Sequence, residues 1–165
     1  MAEPTLRPAT TADIPALSEL ACHTYRHTFG ADMSAQELAA HLDENKSPTA
    51  FTQALEAGDI ILVAEQNGTL IGYVGLGNAT FDDRTLTGLY VHPDHQGAGI
   101  GRNLMAAALD HARKQGAAHV FLTVWSENKK AYAYYTRLGF EKVGTADVTC
   151  GGQVIGEDDV LRLRL

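Results

Sequence analysis

Residues 86–101 read L-T-G-L-Y-V-H-P-D-H-Q-G-A-G-I-G, and the rest of the chain is organised around them. Leu86, Leu89, Tyr90 and Val91 supply the apolar and β-favouring residues of a short buried strand. Pro93 stops it, because proline has no N–H for a ladder and restricts the residue before it. Gly97, Gly99 and Gly101 then fall at alternate positions. Glycines so spaced leave backbone N–H groups bare of side chains and free to point into one concavity. Residues 100–114 follow as a helix, whose first turn adds unpaired N–H groups and a positive dipole end. Together these features make an anion site for a phosphate or pyrophosphate.

Three kinds of loop bind phosphate in this way. A P-loop needs a Lys-Ser or Lys-Thr pair after its glycines, and none stands here. A dinucleotide fingerprint needs a third glycine where Arg102 stands. The third kind is Q/R-x-x-G-x-G/A, which Gln96, Gly97, Ala98, Gly99, Ile100 and Gly101 match at every position. A second signature, Asn128 through Ala131, Tyr134 and Tyr135 to Gly139 and Phe140, fits N-x-x-A-x-x-[FY]-Y-x-x-x-G-F. With both patterns, the chain resembles the GNAT superfamily of acyl-CoA-dependent N-acyltransferases.

Composition bounds the other possibilities. The 165 residues suit one domain spanning 1–165, with 45% hydrophobic and 20% charged residues. The net charge of −7, without a basic block, argues against nucleic acid as a partner. No apolar run has membrane-spanning length and no signal-peptide pattern opens the chain, so the expectation is a cytoplasmic protein. Cys22 and Cys150 stand in unlike contexts and read as reduced thiols.

Residues 5–8 read as a first strand. A helix follows with a buried stripe of Ile14, Leu17, Leu20, Ala21 and Thr24, then a polar-aromatic connection over 25–32. Ser34-x-x-Glu37 is a capping box for a helix through Leu42, and Ser47-Pro48 opens another that Gly58 closes. Residues 60–65 and 69–76 form a hairpin about Asn67-Gly68, with Gly72 and Gly75 marking bulges or a close approach. Residues 78–84 read as a loop, 119–124 as a strand and 128–138 as a helix. Residues 141–144 and 160–165 are late strands. The fold class is α/β (α+β), a mixed sheet with helices on both faces. The resemblance implies that the strands at 85–91 and 119–124 splay apart to admit the pantetheine arm of CoA.

The family also implies roles. Acetyl-CoA is the co-substrate and no metal is needed. Asn128 hydrogen-bonds pantetheine or a substrate group, and Ala131 is small so that the cofactor can pass. Tyr135 protonates the departing thiolate. A main-chain N–H near Leu89, Tyr90 or Val91 stabilises the oxyanion. Tyr132 and Tyr134 read as packing. The amine must lose a proton, and the base is open among Glu127, His92, Asp83 and a water chain; the family's usual glutamate position falls near Thr85. His23 and His27 read as a surface pair. Acidic residues Glu37, Asp43, Glu44, Asp82 and Asp83 could hold a cationic acceptor. The resemblance leans to the small-amine and polyamine branch, with a protein N-terminal amine or a non-catalytic CoA sensor as rivals. Exposed late strands suggest a homodimer.

Overall fold

In a computed structural model, which describes residues 2–78 and 83–165, one seven-stranded sheet runs in the order 1-2-3-4-5-7-6. Its strands are β1 (Thr5–Pro8), β2 (Ile60–Gln66), β3 (Thr69–Asn78), β4 (Arg84–Val91), β5 (His119–Val124), β6 (Glu141–Cys150) and β7 (Gln153–Arg164). The helices are α1 (Ile14–Phe29), α2 (Ala35–Lys46), α3 (Pro48–Glu56), α4 (Ile100–Lys114) and α5 (Lys129–Arg137). All neighbouring strands pair antiparallel except β4 and β5. That parallel pair joins through α4, as a strand–helix–strand crossover requires.

Two cores lie on opposite faces. One packs α4 on the sheet through Leu104, Met105, Ala108, Val74, Val120 and Leu161. The other packs α1 and α3 through Leu17, Ala21, Phe51, Val63 and Tyr73. Alternation along the strands sorts these sets: Leu89 and Val91 lean to the first core, Tyr90 between them to the second. Gly72 lets α4 sit close, since a Cβ there would stand 3.1 Å from Tyr90 O and from a Leu104 methyl.

Local signals hold where their chemistry is specific. Ser34 and Glu37 close the capping box of α2 reciprocally, at 3.1 and 3.0 Å. Asn67 and Gly68 both take positive φ, as the two-residue hairpin demands. Three expectations need correction. Residues 25–29 continue α1 rather than forming a connection; no breaker precedes Gly30, and Tyr25 packs on Phe29 one turn on. Asn78 and Arg84 are strand residues, and the rest of that expected loop, including Asp82, lies largely outside the described residues. The late strands are far longer than 141–144 and 160–165. They form one hairpin whose Gly151-Gly152 turn, both at positive φ, joins paired Cys150 and Gln153.

Candidate active site

The open slot between β4 and β5 is the centre of the site. The two strands pair only at Arg84 with Val120 and Thr85 with Phe121. Beyond that they diverge, so β4 main-chain groups over 86–91 have no β5 neighbour. Leu89, Tyr90 and Val91 therefore stand where an extended ligand could bond the main chain. Leu89 and Val91 give their side chains to the core, leaving only their backbone for that role.

The end of β4 is built to face an anion. His92 Nδ1 accepts the Asp94 N–H at 3.2 Å, and Gln96 Nε2 donates to Val91 O at 3.1 Å. These bonds fix the turn. Gly97 and Gly99 take φ of +86° and +83°, where an L side chain is strained. Among the described residues, the N–H groups of Gly97, Ala98 and Gly99 have no backbone acceptor. The first-turn N–H groups of Ile100, Gly101 and Arg102 add to them. Ile100 is buried and anchors α4, so its part is main-chain only. A Cβ on Gly101 would meet Val91 at an ordinary 3.5 Å, which is why alanine also serves there in the pattern. Arg102 is exposed with its guanidinium near Gly99, adding a full positive charge to the dipole end. Main-chain donors and a helix N-terminus gathered in this way suit an anion such as a phosphate.

Across the slot stands α5. Asn128 caps it, its Oδ1 accepting from Ala131 N at 3.4 Å, which leaves the amide NH₂ for a ligand. Ala131 packs on the main core beside the slot. Tyr135 lies edge-on to Tyr134 and Phe140, with ring centres 5.5 and 5.7 Å away. Burial, helped by Tyr134, pushes its phenol up to about 12. Tyr134 packs on the main core, as the sequence reading has it; its buried hydroxyl has no hydrogen-bond partner among the described residues, and the Arg102 charge reaches it.

On the opposite face, α1 and α2 build an aromatic wall. Tyr25 stacks on His41 with ring centres 4.3 Å apart and meets Tyr90 edge-on at 6.3 Å. Tyr90 packs on Tyr73 at 5.7 Å. Burial pushes the Tyr90 phenol well up, and the nearby Tyr25, Tyr135 and Asp158 push it further. The charge of Asp158 on β7 thus reaches the Tyr90 phenol. Burial, then Asp159, raises its carboxyl above the usual range.

The structure thins the list of bases. Asp83 pairs with His119 at 3.1 Å, at the closed end of the strands. Eight residues separate it from Val91, roughly 25 Å of extended chain. Glu127 is exposed beside Lys129 at 3.8 Å. His92 is occupied by its turn and stacks on His23 at 4.8 Å. Glu37 serves its capping box, Asp43 is exposed, and Glu44 accepts the Gly151 N–H at 3.1 Å. Asp158 and the buried Lys46 were not among the sequence candidates. Period-2 alternation in D-D-V-L-R-L-R-L, carried back past Val160, puts Asp158 on the face opposite Leu161 and was the one available signal.

Comparison with known proteins agrees with this architecture. The Acetyltransferase (GNAT) family model matches residues 15–140, and the chain belongs to that family. It is 33% identical to L-amino acid N-acyltransferase MnaT of Escherichia coli, over 82% of this chain and 78% of the relative. It is 37% identical to N-alpha-acetyltransferase RimI of Mycobacterium tuberculosis, over 66% and 71%. The fold matches the PaiA N-acetyltransferase of Thermoplasma acidophilum in complex with coenzyme A, with a TM-score of 0.84, 21% identity and full coverage of both chains. YncA of Salmonella typhimurium with its cofactor acetyl-CoA gives a TM-score of 0.72 at 26% identity, over 99% and 94%. The protein is a GNAT N-acetyltransferase.

Proposed function

We propose that this enzyme moves the acetyl group of acetyl-CoA directly onto a small primary amine. The observation that carries this reading is the slot itself: β4 and β5 part beyond Thr85, with an anion loop at one edge and the buried Tyr135 phenol packed beside Tyr134 and Phe140 at the other. Acetyl-CoA supplies an activated thioester carbonyl. Gly97 to Ile100 main-chain donors and Arg102 hold its phosphates, and the open β4 edge holds the pantetheine amide. The same edge, at Leu89 to Val91, offers an N–H to the carbonyl oxygen as negative charge grows there.

Asp158 takes the proton that the ammonium must lose. Its raised carboxyl makes it a stronger base than an exposed aspartate. The freed nitrogen attacks, the C–N bond forms and the C–S bond breaks; the nitrogen sheds its second proton to solvent, and solvent restores the Tyr135 phenol once that phenol has protonated the sulfur. Tyr135 donates a hydrogen bond to the departing sulfur and then its proton. A phenol at about 12 is fully protonated at neutral pH. It is also a weaker acid than a thiol near 8.5, so it stabilises the thiolate first and transfers its proton late. No enzyme nucleophile is needed, and Cys22 on α1, with its thiol near the Lys46 carbonyl at 3.7 Å, is given no part.

The test is a two-substrate kinetic analysis with mass identification of the product. Direct transfer gives intersecting double-reciprocal lines and an amine heavier by one acetyl group. Parallel lines with an acetylated enzyme would overturn direct transfer. Acetylation confined to Ala-starting peptides would replace the small amine by a protein N-terminus, the reading that the N-alpha-acetyltransferase relative supports.

A further inference from the structure

Among the described residues, one lysine is buried without a carboxylate in ion-pair contact. Lys46 ends α2, and only 7% of the residue is exposed. Ser18 Oγ donates to its carbonyl at 2.6 Å, which fixes the backbone and keeps the side chain turned inward. Among the described residues, its Nζ donates one hydrogen bond, to Tyr73 Oη at 3.2 Å. It lies 5.0 Å from the centre of the Tyr90 ring and 5.8 Å from that of Tyr73. None of the ion pairs among the described residues includes it.

An ammonium carries three donors, and one is used here. Ring faces soften its burial but do not balance a full charge. Burial accordingly pushes Lys46 down to about 8, which still leaves it charged at neutral pH. Tyr90 links this cation to the transfer centre. The same residue whose ring lies under Lys46 stands on β4 at the open slot, and its phenol feels the charges of Tyr135 and Asp158. No ion pair among the described residues joins Lys46 to Asp158. A cation thus lies over the ring of one tyrosine whose phenol also feels a carboxylate charge.

We propose that Lys46 holds a carboxylate of the acceptor, so that the acceptor is an amino acid or a similar small molecule with both an amine and an acid group. This rests on the amine-transfer reading above. The amine meets Asp158 and the acid meets Lys46. A polyamine is disfavoured, because its second cation would be driven against a buried ammonium.

The experiment compares a panel of free amino acids with their carboxamides, each with acetyl-CoA, in the native enzyme and in Lys46→Met and Lys46→Arg. The native enzyme should prefer the acid over its amide by roughly 10- to 100-fold in kcat/KM, mainly through KM. Lys46→Met should collapse that preference to within a few-fold, and Lys46→Arg should retain most of it. Unaltered acetyl-CoA binding, read by calorimetry, shows that each variant is folded. An amide used as well as its acid, or a preference that survives Lys46→Met, overturns the carboxylate anchor and leaves amine transfer standing. Failure of every amine, acid and amide alike, overturns both.

Discussion

At the scale of single residues, burial acts in opposite directions on two groups of the site. It pushes the Tyr135 phenol up and the Lys46 ammonium down. Tyr135→Phe should lower kcat by roughly 100-fold or more, the usual size of a general-acid contribution. Calorimetry should find acetyl-CoA affinity within a few-fold of native. No loss of rate from ionisation of Tyr135 should appear below about pH 11, since its phenol lies at about 12. Lys46 gives a stability prediction as well. Unfolded, it keeps its proton to about 10.4, whereas folded it loses it at about 8. The unfolded state therefore binds more protons between those values, and stability rises with pH across that window. His41, Tyr73, Tyr90 and Cys22 surround it from α2, β3, β4 and α1. Lys46→Met removes the cost of burying the charge. It should raise stability at pH 7 by about 1–3 kcal/mol, an increase of roughly 2–10 °C in the melting midpoint by calorimetry. A lysine kept for structure would give a lower midpoint on the same substitution.

At the scale of elements, the β4–loop–α4 unit was legible because its chemistry is local. Proline ends a strand and glycine permits positive φ wherever they stand, and the tyrosine motif on α5 is similarly self-contained. Gly99→Glu tests the unit: the side chain is strained at φ +83° and its carboxylate repels the phosphates. Acetyl-CoA affinity should fall by roughly 100-fold or more while circular dichroism stays native. Elements were misread where tertiary contacts decide them. Residues 25–29 look like a loop by polarity, yet Tyr25 is held in the helix by Phe29 and by His41 of α2. The sequence reads the inner ends of β6 and β7 but not the outer half of their hairpin, which is exposed on both sides and lacks a hydrophobic period, although Gly151-Gly152 is a turn signal. Lys46, in E-N-K-S-P, reads as an ordinary basic residue at a helix C-terminus. Only the packing of α2 against α1 and the sheet turns it inward, so that half of the acceptor site was hidden.

At the scale of the whole molecule, strand order and the parallel β4–β5 crossover followed from the succession of elements. The depth of the slot did not, since it depends on two strands failing to pair beyond Thr85. Acetyl-CoA filling that slot should stabilise the protein by about 2.7 kcal/mol at a hundred times its Kd, a rise of roughly 5–10 °C in the melting midpoint. CoA without the acetyl group should give a similar rise, because the phosphates and pantetheine make most of the contacts. The most direct measurement is thiol release from acetyl-CoA by the purified enzyme, with and without a mixture of free amino acids and other small amines. Release that depends on the amines, and disappears in Tyr135→Phe, is the predicted result. Acetyl-CoA that binds and raises the melting midpoint, yet yields no thiol with any small amine, would contradict the proposed activity.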